Sequence, residues 1–154
     1  MLKTFRSFKS YELAIRYIAD HLSPINAEEL QVIAPGSDPF QALMQAGEKS
    51  ETGFMFFDFD GYPRAIGGVF SDRNIWFVIT DKVTRRELVP WLKHSLRLLK
   101  ELHQKYRTLW GHSYHKNGLS RLWMKWNGFD FAPPGSHANY TIDGHEFYYF
   151  QRNA

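Results

Sequence analysis

The 154-residue chain has no cysteine. That excludes disulfides, thiolate nucleophiles and cysteine zinc sites, and it suits a reducing compartment. No apolar run approaches the roughly 18 residues that span a bilayer. The opening MLKTFRSFKSYELAI has neither the apolar core nor the cleavage site of a secretory signal. These absences point to a soluble protein kept inside a cell, or packaged in a particle made there. Internal repeats and low-complexity tracts are missing too. Acidic residues are scarce in one stretch. Positions 82–125 hold eleven Lys or Arg against only Glu87 and Glu101, a net +9, whereas positions 1–50 are net −1 and the whole chain +3. The positive charge is therefore local. Such a patch draws the phosphates of a nucleotide cofactor or nucleic acid, or an anionic surface, unless it is only a solvated helix face.

Aromatic residues are abundant, at 17% of the chain. They demand a dense core and exclude disorder. The length fits one domain over residues 1–154. Its first 50 residues read as helical. Ser10–Leu22 carries apolar residues (Leu13, Ile15, Tyr17, Ile18 and Leu22) at mostly helical spacing, with Ser10 as N-cap and Ser23-Pro24 as the stop. A weaker helix covers Ala27–Ile33. Phe40–Gly47 reads as a third, with Asp38 as N-cap and Pro39 at its first position.

The pattern then changes to strands over 53–59, 62–70 and 74–80. Asp60-Gly61 between the first two predicts a two-residue hairpin turn. Gly67-Gly68 marks a bulge or a close backbone approach. Thr84–Lys105 is the longest helix, with an apolar stripe through Leu88, Trp91, Leu92, Leu96, Leu99, Leu102 and Tyr106. Lys93, Arg97 and Lys100 line the opposite face. A strand over 109–114 follows, then a helix opened by Asn117 and closed by Asn127-Gly128. A turn at 133–136 and a last strand at 146–151 complete the order. The expected class is α/β or α+β, with a mixed central sheet and helices on both faces.

Two sets of sequence words carry a resemblance. Asn117–Phe129 (NGLSRLWMKWNGF) is similar to the penultimate helix of the GNAT N-acetyltransferase superfamily. It has Asn at the start, a small residue at Ser120, and Gly128-Phe129 at the end. GYPRAIGG (61–68), WFVITDKV (76–83) and KYRTLW (105–110), followed by the 117–129 stretch, resemble in order the internal virion protein A family of short-tailed coliphages. The superfamily resemblance implies a GNAT fold and acetyl-CoA as cofactor. The cofactor-binding residues would be Ile79, Thr80, Lys82, Arg85, Arg86 and Asn117. The phage resemblance implies a protein of the virion or its assembly, in the host cytoplasm or the particle, with other virion proteins as partners.

The chain departs from that pattern in two places. GNAT enzymes usually close a glycine-rich turn on the cofactor pyrophosphate, where backbone N–H groups meet a helix N-terminus. Thr80–Arg86 contains no glycine and includes Asp81. The helix tyrosine that protonates the leaving thiolate is replaced by Met124. Tyr114 and Tyr106 are the alternative donors, although packing explains both. Asp58 and Asp60 lie on the hairpin, where the turn accounts for Asp60. His112 and His115, three apart on a strand, point to opposite faces and hold no metal between them. Trp91, Trp110, Trp123 and Trp126 read as core rather than base-stacking groups. Three functions follow, in order: a phage virion-associated GNAT-like protein with weak or lost catalysis; a working acetyl-CoA-dependent N-acetyltransferase; and a module binding nucleic acid or protein through the basic 82–125 face, with Lys93, Arg97 and Lys100 as the anion contacts.

Overall fold

The structure is a computed structural model that describes residues 1–154, apart from the side chain of Arg85. The chain forms two compact units, Met1–Trp91 and Leu92–Ala154, each with its own sheet. The first unit contains β1 (Leu2–Phe5), a 3-10 turn (Phe8–Tyr11), α1 (Glu12–Asp20), α2 (Pro24–Ile33), α3 (Pro39–Lys49), β2 (Ser50–Phe57), β3 (Pro63–Phe70) and β4 (Ile75–Ile79). The helix α4 (Arg85–Lys105) runs from the first unit into the second. There follow β5 (Thr108–Tyr114), α5 (Gly118–Trp126), β6 (Asp130–Phe131), β7 (Tyr140–Ile142) and β8 (His145–Asn153).

The α/β class holds. The strands pair as two antiparallel sheets, ordered β1-β2-β3-β4 and β5-β8-β6, with β7 also paired to β8. They do not form the one mixed sheet expected. In the first unit α1 and α3 cover one sheet face. Ile15, Ile18, Phe40 and Leu43 bury there against Met55 and Ile66. Strand alternation turns Phe54 and Phe56 to the other face, and the Phe56 ring lies 5.0 Å from Trp91.

Several expectations need correction. Ser23-Pro24 opens α2 instead of closing α1: the Ser23 hydroxyl accepts from the Asn26 N–H, and Pro24 takes the first turn, where no N–H is missed. Ser10 lies in the 3-10 turn and caps nothing; α1 opens at Tyr11 without a side-chain cap. Leu13, placed on the apolar stripe, is 85% exposed. In α4 the buried stripe runs through Trp91, Ser95, Leu98, Leu99 and Leu102, with Tyr106 buried just beyond its end, and Leu96 is exposed. The helical start is preceded by β1, which pairs with β2.

The β2–β3 turn is organised by Asp58, not by Asp60-Gly61 as a two-residue pair. The Asp58 carboxylate accepts from the N–H groups of Asp60 (2.9 Å) and Tyr62 (2.8 Å), and the Gly61 N–H returns to the Asp58 carbonyl. Only Gly61 takes positive φ (+85°). That is a longer loop with one left-handed glycine. Gly67 is a close approach, not a bulge: its pairing is in register on both sides, and an added Cβ would strike the Trp76 carbonyl and the Phe54 ring.

Candidate functional site

The expected cofactor residues fall at two strand ends. The first is the end of β4, the edge strand of the first sheet. The Thr80 N–H donates to the Arg64 carbonyl of β3 (2.9 Å). Alternation therefore turns the main-chain groups of Ile79 to the open edge. Both are already engaged. The Ile79 N–H donates to Asn26 Oδ1 (3.0 Å), and the Ile79 carbonyl accepts from the Ser23 N–H (3.0 Å). Two residues on, the Asp81 N–H donates to the His21 carbonyl (2.8 Å). The segment joining α1 to α2 thus pairs with this edge like a short extra strand, bridging at Leu22 and Thr80. Asn26 is buried by that role, and its Oδ1 also accepts from the Ser23 hydroxyl.

The turn after β4 draws on its own polar groups. Thr80 is 1% exposed, and its hydroxyl accepts from the Lys82 N–H. The Glu87 N–H returns to the Thr84 carbonyl. Lys82 and Arg86 are exposed cations, and Asp81 is an exposed anion between β4 and them. The Arg85 side chain lies outside the described residues. The Asp81, Lys82 and Glu87 amides of this stretch donate inside the chain. A phosphate held here would rest on the charge of Lys82 and Arg86.

Beneath the turn lies a buried ion cluster that the sequence did not reveal. Arg64 Nη2 bonds the Asp58 carboxylate, and Arg64 Nε faces Glu87 Oε1 at 3.8 Å. Glu87 Oε2 is buried with no hydrogen-bond partner. Arg64 therefore braces the β2–β3 turn, the end of β4 and the first turn of α4 together. Asp58 and Glu87 are its structural counterions.

The second strand end is that of β5, in the other unit. Asn117 caps α5, its side chain accepting from the Ser120 N–H (3.2 Å). Gly128, at φ +84°, ends the helix. Met124 is buried. Tyr114 is fully buried, its ring 5.4 Å from Phe147. The Tyr114 hydroxyl meets His145 Nδ1 at 3.2 Å, and His115 Nε2 meets the same nitrogen at 2.9 Å. One proton can bridge the two imidazoles, so one ring donates while the other accepts. A second bridging proton would break the contact. The group can therefore hold or pass a proton at His145. The β5–β8 register, which pairs Tyr114 with Phe147, creates this meeting, so single-chain spacing could not show it.

The remaining candidates are placed as follows. His112 Nε2 donates to the Ala138 carbonyl. Among the described residues no group of three His, Asp or Glu could hold a metal. Tyr106 is buried, with its carbonyl accepting from His103 Nδ1. Trp91 is core, Trp110 stacks on Tyr149 (6.2 Å), and Trp126 is exposed. Lys93, Arg97 and Lys100 are all exposed along α4. His94 adds no charge to that row at neutral pH. Burial first, then neighbouring positive charge including Arg97, holds its pKa below the usual histidine value.

No family description and no curated protein matches the chain. Solved structures do. A ribosomal-protein-S18-alanine N-acetyltransferase from Escherichia coli aligns with 99% of this chain and 94% of its own, at TM-score 0.63 and 17% identity. A spermidine N-acetyltransferase chimera from Vibrio cholerae and hSSAT has the same coverage, at TM-score 0.67 and 12% identity. A GNAT phosphinothricin acetyltransferase from Sinorhizobium meliloti, solved in complex with AcCoA, covers 99% and 87%, at 0.57 and 13%. The fold is that of the GNAT acetyltransferases. At these identities the likeness establishes the fold, and the chemistry must be argued from the residues.

Proposed function

We propose that this chain is a GNAT-fold protein of a tailed-phage particle or its assembly, in which acetyl transfer is weak or lost. One observation carries the loss of catalysis: both edge-facing main-chain groups of Ile79 are bonded to Ser23 and Asn26. A cofactor that hydrogen-bonds the Ile79 N–H must displace Asn26, and one that bonds its carbonyl must share it with Ser23. The glycine-free turn at 80–86 and the methionine at 124 point the same way. The phage role rests on the ordered sequence words at 61–68, 76–83, 105–110 and 117–129. Other virion proteins are its partners, and the host cytoplasm and the particle its locations. Mass spectrometry of purified particles of the source phage tests that role: copies of the chain are expected, and their absence would refute it. Transfer of labelled acetyl groups to polyamines and host lysate tests the loss of catalysis. The expected result is no transfer above a boiled control.

A second reading, a working acetyl-CoA-dependent N-acetyltransferase, is favoured by the contact of Tyr114 and His115 with His145. That group could relay a proton without the missing tyrosine. Direct attack of a well-placed amine could supply much of the remaining rate. The exposed cations Lys82 and Arg86 would then draw the acetyl-CoA phosphates, and transfer to an amine would rise clearly above the control. The exposed row of Lys93, Arg97 and Lys100 favours a third, phosphate-binding role, whose mark is a steep loss of DNA retention with salt.

A further inference from the structure

The outer face of α5 is unlike the rest of the surface. Leu119, Leu122 and Trp126 recur at i, i+3 and i+7, so they share one side of the helix. They are 59%, 45% and 57% exposed. The helix already has an inner side, where Met124 is buried and Arg121 is spent on the Tyr114 carbonyl (2.7 Å) and the Tyr148 ring. The outer stripe is therefore not part of the core.

Its surroundings are positive. Lys116 precedes the cap and Lys125 lies beside the stripe, both exposed. Positions 102–129 contain no Asp or Glu at all, but do contain Lys105, Arg107, Lys116, Arg121 and Lys125. An occupant must accept apolar side chains and carry negative charge. A second copy docked face to face would set these lysines against one another. Nucleic acid would use the cations and leave two leucines and a tryptophan unused. A folded protein partner needs roughly 800 Å² on each side, and three side chains on a nine-residue helix offer a patch on the order of a few hundred. A bilayer needs no matched area.

We propose that this face docks the protein on anionic lipid. Leu119 and Leu122 enter the acyl boundary, Trp126 sits at the headgroup level, and Lys116 and Lys125 contact the anionic headgroups. The proposal stands apart from the acetyl-transfer question, because none of these side chains lies at the end of β4 or in the Tyr114 cluster.

The test is flotation of the full chain with vesicles of phosphatidylcholine alone, or of equimolar phosphatidylcholine and phosphatidylserine, at low salt. The expected result is binding only to the mixed vesicles, with brominated lipid quenching fluorescence in the native chain but far less in Trp126→Phe. The variant Leu119→Ser/Leu122→Ser/Trp126→Ser should bind at least about tenfold more weakly, as should the charge variant Lys116→Glu/Lys125→Glu. Both should keep the native melting temperature within a few degrees, because these side chains are exposed. No flotation of the native chain at low salt would overturn the proposal. So would flotation unaffected by either variant, or a solution dimer that the serine variant dissociates.

Discussion

At the end of β4 the outward main chain is closed by Ser23 and Asn26, and the turn beyond it bonds its own amides. At the end of β5 the helix cap at Asn117 is intact, and beside it a tyrosine and a histidine converge on one nitrogen of a second histidine. The fold is shared with acetyltransferases along 99% of the chain, yet the two ends are finished differently. The β5 end keeps the local features of its motif because they are cheap: an Asn cap and a terminal Gly stabilise any helix. The β4 end carries no glycine between Thr80 and Arg86, and the Ile79, Asp81 and Lys82 amides donate inside the chain.

The largest effect is expected at the brace under β4. Asp58→Ala leaves the partly buried Arg64 without its main counterion, and should cost about 3 kcal/mol, the lower end for a buried pair, in urea unfolding. A loss below about 1 kcal/mol, the level of an exposed pair, would mean that Arg64 does not brace this end. Asn26→Ala sharpens the contrast. It leaves the Ile79 N–H unpaired at a cost of about 1–3 kcal/mol, and it should strengthen acetyl-CoA binding in calorimetry by reopening the edge. Unchanged or weaker binding in a folded variant would show that the Asn26 bond is not what closes the site. Asn117→Ala should cost about 1 kcal/mol as a lost cap, readable as a shift in the urea midpoint. Lys93→Glu with Arg97→Glu should change stability by no more than about 0.5 kcal/mol. That pair should nevertheless abolish any retention on duplex DNA at low salt; retention equal to the native chain would remove the α4 row as an anion site.

The sequence displayed what local rules govern. Asp38 accepts from the Gln41 N–H as the N-cap of α3, Asn117 caps α5, and Gly128 has the positive φ expected of a helix end. The exposure of Lys93, Arg97 and Lys100 was equally legible. Ser23-Pro24 was ambiguous, because a capping serine followed by proline lies between one helix and the next, and the same pair can be read as a stop. The Asp143-Gly144 turn has a local signal in its Asp-Gly pair. Both residues take positive φ, 49° and 79°, and join β7 to β8. β7 is only three residues long, so no run of alternation announced it. The longer loop at Asp58–Tyr62 carried the same Asp-Gly pair, and the Asp58 side chain decided its form. The long-range polar contacts had no local trace. Asn26 meets Ile79 across 53 positions and Tyr114 meets His145 across 31, and both meetings depend on how distant segments pair.

The most direct test of the β4 closure is calorimetric titration of the native chain with acetyl-CoA, checked by thermal shift. The expected result is no heat of binding and no rise in melting temperature up to about 1 mM ligand, which bounds the affinity at roughly −4 kcal/mol. Micromolar binding, with a melting temperature that climbs as ligand is added, would contradict it: the β4 end would then be an open cofactor site despite its internal bonds, and the working N-acetyltransferase would take first place.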